Sequence, residues 1–173
     1  MKTNIIKTVW GFLLTVVEKY TPLNLKSDSI DDTFNYLQIH ENLATSGQPT
    51  EKQFSLIAEA GYRVVINLAP ASVLENSLHT EASLLESLGI RYIHIPVNFT
   101  NPTENDFDQF VNSLESATEE KVWVHCAANA RVSAFMYRYR LSVLGEDEQI
   151  AKQDLHKIWE PFGVWRKFVS SNR

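Results

Sequence analysis

One cysteine in 173 residues rules out an internal disulfide, a cysteine-rich metal site and a resolving thiol within the chain. Positive charge is also scarce: 16 Lys and Arg against 21 Asp and Glu leave a formal net charge of −5. A general nucleic-acid binder would show a basic face or stripe, so nucleic acid is not an expected partner. The five histidines, His40, His79, His94, His125 and His156, have no ligand spacing, and neither a metal nor another cofactor is expected. No apolar run reaches the roughly 20 residues that a membrane-crossing helix needs. Internal repeats and low-complexity tracts are lacking too. What remains, 44% hydrophobic and 21% charged residues, is the composition of a soluble globular domain of ordinary size. A cytoplasmic location is the reading that fits, with a periplasmic or membrane-peripheral one as the alternative.

The N-terminus carries the longest apolar stretch. Read as a helix, Ile5, Ile6, Val9, Trp10, Leu13, Val16, Val17 and Tyr20 share one face. Three roles fit it: packing on the domain or a partner, contact of residues 1–20 with a membrane surface, or a cleaved leader. Residues 1–33 are therefore read as an amphipathic helix plus linker, and residues 34–173 as a single domain.

Within that domain short β-rich runs alternate with helical patterns. Residues 63–68, 91–95 and 121–125 read as strands, 36–39 as a weaker one and 43–45 as a short pairing piece. Thr50 with Gln53 three residues on forms a capping box that opens a helix ending at Gly61. Further helices run from about Thr80 to Leu88, from Thr103, and over about 130–144, followed by two shorter ones. Trp159, Phe162, Trp165 and Phe168 read as C-terminal core. This alternation predicts an α/β fold: three layers, a mostly parallel sheet of about four to five strands flanked by helices, and a helical C-terminal part.

The chemistry concentrates in Val122-Trp-Val-His125-Cys126-Ala-Ala-Asn129-Ala-Arg131-Val-Ser133. A buried strand delivers a cysteine to a tight loop that opens a helix. Free backbone N–H groups and the helix dipole favour an anion there, whether thiolate or bound oxyanion. Ala127, Ala128 and Ala130 are small enough for the backbone to approach a ligand, and Asn129 tolerates a left-handed turn. Arg131, in the first helical turn, can grip two oxygens with its planar fork. Such a loop can place a nucleophilic sulfur beneath a phosphorus, with the developing charge held by amides and guanidinium.

His125-Cys126 with Arg131 and Ser133 resembles the signature loop of cysteine-dependent protein tyrosine and dual-specificity phosphatases. Ala44-Thr-Ser-Gly-Gln-Pro-Thr50, Gly61-Tyr-Arg-Val-Val-Ile-Asn-Leu68 and Tyr92-Ile-His-Ile-Pro-Val97 resemble a bacterial branch of that superfamily, also found beside beta-lactamase-like hydrolases. The resemblance implies hydrolysis of a phosphorylated protein or small molecule through a phosphocysteine on Cys126. It implies phosphate contacts from residues 127–131, with His125 shaping the loop and the Ser46-Gly47-Gln48 turn nearby.

Three departures accompany it. Four residues separate Cys126 from Arg131 where the usual tyrosine phosphatase loop has five. Four is the spacing of rhodanese sulfurtransferases, so a Cys126 persulfide is an alternative chemistry. Val132 stands where the family places a serine or threonine, with Ser133 one residue later as the substitute. The loop after Tyr92–Ile95 reads Pro96-Val-Asn98-Phe-Thr-Asn-Pro102, without the family's acidic residue. Asp106 is then the candidate general acid, although three residues after Thr103 it also suits a helix cap. A module that binds oxyanions or senses oxidation without turnover is the remaining alternative.

Overall fold

The computed structural model describes residues 29–71 and 80–171. The N-terminal helix expected within residues 1–28, and His79, lie outside the described residues. The chain enters as a single 3₁₀ turn, Ile30–Asp32, capped by the Ser29 hydroxyl, inside the segment read from sequence as linker. Among the described residues five strands and six α-helices follow; the strands are β1 Leu37–His40, β2 Leu43–Ser46, β3 Tyr62–Asn67, β4 Arg91–His94 and β5 Lys121–His125. The helices alternate with and follow them: α1 Glu51–Glu59, α2 Glu81–Ser87, α3 Glu104–Glu115, α4 Ala130–Ser142, α5 Glu148–Ile158 and α6 Val164–Ser170. The protein is α/β with a helical C-terminal part, as the alternation predicted.

Spatially the strands run β1-β2-β5-β3-β4. β1 is antiparallel to β2, and the other pairings are parallel. β5 returns to the middle of the sheet, so its carboxyl end opens between the loops that leave β2 and β3. In open α/β sheets such a return makes the crevice in which ligands bind.

Period-two alternation along the strands divides the core. Val64, Ile66, Val122 and Val124 face α3, α4 and α6. Val65 and Trp123 point to the other face, where Phe54 and Ile57 of α1 and Leu85 of α2 cover them. The Thr50 capping box forms as its spacing predicts, with the Thr50 hydroxyl accepting the Gln53 N–H and the Gln53 side chain accepting the Thr50 N–H. Around Phe135 of α4 the rings of Phe107, Phe110, Trp165 and Phe168 converge, the nearest being Phe168 with centroids 4.7 Å apart. Trp165 and Phe168 are thus core residues and Trp159 packs against them. Phe162 departs from expectation, being 60% exposed in the turn before α6, where its ring meets Trp159 edge-on.

Arg138 is buried in the same region. Its guanidinium lies 4.1 Å and 4.5 Å from the Phe107 and Phe168 centroids and donates to both carboxylate oxygens of Glu104. Ring faces and a bidentate carboxylate together replace the water such a cation loses. Among the described residues no helix is long and apolar enough to cross a membrane.

Phe135 is fully enclosed, so Phe135→Ala leaves a cavity among the rings of α3 and α6 that they cannot refill. A loss of about 3–5 kcal/mol is expected in urea unfolding monitored by circular dichroism.

Candidate active site

Alternation along β5 assigns the two residues at its carboxyl end to opposite faces. Cys126 follows the parity of Val122 and Val124 and joins the α4 side of the core. His125 follows Trp123 and turns to the other side, where its Nε2 lies 3.1 Å from Oε1 of Glu81. The thiol is therefore held just past the carboxyl end of the central strand, shortly before the start of α4, and both side chains are buried.

Between Cys126 and α4 the chain turns on Asn129, the N-cap, in the left-handed region at φ 63°. A four-residue loop has to reverse quickly, and asparagine accepts this conformation at low cost. Its side chain does not face the loop's interior. The Nδ2 donates to the backbone oxygen of Asn35 at 2.7 Å and to the Thr45 hydroxyl at 3.1 Å. Asn35, itself left-handed at φ 51°, answers by donating its Nδ2 to the Ala128 carbonyl at 2.9 Å.

Each remaining loop carbonyl is also occupied. Ala127 accepts the Gln48 N–H at 3.2 Å, Asn129 the Ser133 N–H at 2.9 Å, and Ala130 the Ser133 hydroxyl at 3.0 Å. All four carbonyls of the loop are thus turned to donors of the protein. Close approach of the neighbouring turn requires glycine. A Cβ on Gly47 would sit 2.8 Å from the Phe34 ring and 3.0 Å from the Ala127 oxygen.

Arg131 lies in the first turn of α4, 3% exposed, with its guanidinium 5.3 Å from the centre of the Phe99 ring. Phe99 is braced in turn: its carbonyl accepts the Trp165 indole N–H at 2.8 Å, and Trp159 and Trp165 flank its ring. The loop after β4 thus supplies an aromatic face beside the arginine.

Glu81, in the first turn of α2, is buried beneath this assembly. Besides His125 it accepts hydrogen bonds from Gln48 Nε2 at 2.7 Å and Asn67 Nδ2 at 2.9 Å, and it is bonded to the Tyr92 hydroxyl. Burial alone would raise its carboxyl, but the charge and hydrogen bond of His125, with the bonds from Gln48 and Tyr92, bring it down to about 2. The same carboxylate and burial push the Tyr92 phenol well above its ordinary range.

The structure brings together His125, Cys126, Ala127, Ala128, Asn129, Ala130 and Arg131, and places Gly47 and Gln48 against them. Two expected participants are committed elsewhere. The Ser133 hydroxyl donates to Ala130 O and accepts the Trp159 indole N–H at 3.1 Å, which holds the loop from behind rather than offering a hydroxyl to the sulfur. Asp106 completes the α3 capping box, its carboxylate accepting the Thr103 N–H at 2.9 Å while the Thr103 hydroxyl accepts its own N–H. Val132 is buried in the core. Four residues went unnoticed in the sequence: Glu81, Asn35, Asn67 and Phe99. Each is an ordinary helix, turn or strand residue by local pattern, and only tertiary folding carries it to the loop.

A mostly parallel sheet that ends in a cysteine-to-arginine loop at a helix start defines a tyrosine or dual-specificity phosphatase fold. The family model described as "DSP-PTPase phosphatase fused to NAD+ Kinase" matches residues 14–160, and the chain belongs to that phosphatase family. A crystal structure of a putative phosphatase (DUF442) from Shewanella putrefaciens CN-32 is similar, with 31% identity and a TM-score of 0.72 over 82% of this chain and 92% of that one. A "Beta-lactamase hydrolase-like protein" of Xylella fastidiosa is 36% identical over 97 residues, 55% of this chain. The chain spans 22% of that relative's length. The fold is also that of P. aeruginosa TpbA, solved with phosphotyrosine, at 18% identity and a TM-score of 0.60 over 76% of each chain.

The Glu81 carboxyl is held below its unfolded value of 4.5, so its contribution to stability is present above that pH and is lost as pH falls toward about 2. Glu81→Gln should cost roughly 3 kcal/mol at neutral pH. The gap to the unaltered chain should close between about pH 4.5 and 2 in denaturant titrations. A gap independent of pH would contradict the assignment.

Proposed function

We propose that the protein hydrolyses phosphomonoesters through a cysteinyl-phosphate on Cys126. The observation that carries this reading is the loop's polarity: the carbonyls of residues 127–130 all accept protein donors, so none of them is turned toward an oxyanion beside the thiol, and the Arg131 guanidinium lies in the helical turn that follows.

In the first step the Cys126 thiolate attacks phosphorus. The bond from phosphorus to the leaving oxygen breaks, its electron pair departs on that oxygen, and the oxygen takes up a proton. In the second, water attacks the phosphocysteine, the sulfur–phosphorus bond breaks, and inorganic phosphate leaves a regenerated thiolate. Arg131 and the loop amides hold the non-bridging oxygens in both steps. His125, tied to Glu81, fixes the strand end from which the sulfur projects.

Proton supply decides the substrate class. Asp106 remains the candidate acid, but that role requires release of its cap, worth about 1 kcal/mol, and residues 96–102 contain no carboxylate. General acids contribute roughly 10²- to 10⁴-fold, most of it for poor leaving groups. Aryl phosphates, whose phenolate leaves with little assistance, therefore fit this site better than alkyl phosphates. The phosphotyrosine bound in the TpbA complex is an ester of that kind.

Purified protein should hydrolyse p-nitrophenyl phosphate, and rapid acid quenching should trap a phosphoryl group on Cys126. Cys126→Ser should lower the rate by roughly three orders of magnitude or more. Equal rates for both proteins would overturn the proposal. Thiocyanate release from thiosulfate and cyanide, without phosphate release, would assign persulfide chemistry instead.

A further inference from the structure

Two non-glycine residues among those described have positive φ, Asn35 and Asn129. They are 94 positions apart, and each bonds the other's segment. Asn129 Nδ2 donates to the Asn35 backbone oxygen, and Asn35 Nδ2 donates to the carbonyl of Ala128, the residue before Asn129. The exchange is a reciprocal clasp between the turn preceding β1 and the cysteine loop.

Neighbouring contacts bear on the same spot. Gly47 N–H donates to the Phe34 oxygen at 2.6 Å, and Gly47 pairs with Ala128 as an isolated antiparallel bridge. Thr45 passes the clasp into the sheet: its hydroxyl accepts from Asn129 and donates to the Leu37 carbonyl at 3.3 Å. Three segments, 33–36, 45–48 and 127–129, thus hold one another edge to edge.

The Asn35 bond matters for function because of the group it takes. A peptide unit can turn either its N–H or its C=O toward the inside of a tight loop, and rotation of one unit exchanges them. Inside an anion site the wrong choice replaces an attractive dipole by a repulsive one in a water-poor setting. The Ala128–Asn129 peptide directly precedes the left-handed residue and pairs with Gly47 across the bridge. Ala127 is held by a backbone donor and Ala130 by the first helical turn, whereas the carbonyl of Ala128 is held by the Asn35 side chain.

We infer that Asn35 is a positioning residue for the oxyanion site: it pins the Ala128 carbonyl outward and so fixes the orientation of the loop peptides around Cys126. The inference rests on the reading of the loop as an oxyanion site, and it does not require that the site turn over substrate. Asn35 is the distal partner that substitutes for loop length, since a four-residue connection has no spare residue with which to satisfy its own carbonyls.

The decisive variant is Asn35→Gly, which keeps the left-handed backbone and removes the amide. Binding of tungstate, an inert tetrahedral oxyanion, is measured by calorimetry alongside p-nitrophenyl phosphate hydrolysis and thermal unfolding. In Asn35→Gly, tungstate affinity and kcat/KM should each fall at least about tenfold, the equivalent of one charge-assisted hydrogen bond. The melting temperature should stay within a few degrees. A purely structural role predicts the reverse, a lowered melting temperature with unchanged tungstate affinity of the folded protein, and that result overturns the inference. If Asn35→Gly does not fold, Asn35→Asp, which presents an acceptor instead of a donor to Ala128 O, should show the same loss, and normal tungstate binding by it also overturns the inference. In a double-mutant cycle, adding Asn129→Gly should cost little more than the worse single change, whereas full additivity would deny the clasp. Unaltered protein that binds tungstate without hydrolysing any phosphate ester refutes the hydrolase reading alone. Failure of the unaltered protein to bind tungstate refutes the oxyanion site, and this inference with it.

Discussion

A single buried carboxylate, Glu81, gathers one side chain from each of the four parallel strands or the loop that leaves it. Gln48 follows β2, Asn67 ends β3, Tyr92 lies in β4 and His125 ends β5. Strand ends are where a sheet stops supplying hydrogen bonds to its own backbone and where a ligand site must nevertheless be held still. An isolated charge would be prohibitively costly there, and four polar partners convert it into a fastening. The site depends on this knot, because His125 cannot be fixed without fixing the peptide that leads to Cys126.

Much of this architecture is legible in the sequence for physical reasons. Strands β3 and β5 are apolar on both faces because both are covered by helices, so they stand out as short apolar runs. Thr50 with Gln53 and Thr103 with Asp106 announce helix starts through local chemistry that needs no tertiary context. The cysteine loop is similarly local: strand, small residues, arginine, helix. Legibility ends where function is assembled across distance. Asn35, Phe99 and Glu81 sit in unremarkable surroundings and gain meaning from a sheet order in which β5 lies between β2 and β3. Ser133 shows the opposite failure. A hydroxyl near the arginine invites a chemical role, while the α4 geometry turns it back onto the Ala130 carbonyl and the Trp159 indole.

The two sides of the sheet divide the labour. On the α1–α2 side buried polar side chains converge on Glu81 and tie the strand ends together. On the α3–α4–α6 side the packing is aromatic, and it reaches the site through Phe99, which is fixed by Trp159 and Trp165 and lies beside Arg131. The helical C-terminal part, remote in sequence from the cysteine loop's strand, is thereby coupled to the position of the guanidinium.

The bond from Asn35 to Ala128 closes a loop of 93 residues. Closing a chain of that length costs more entropy than one hydrogen bond returns, so the contact depends on the β1–β2 and β2–β5 pairings that bring both segments to one place. The backbone of the cysteine loop belongs to the β5–α4 unit, but its full set of carbonyl partners exists only where β2 and the turn before β1 lie beside it. The loop's geometry is thus a property of the assembled sheet and not of its own segment.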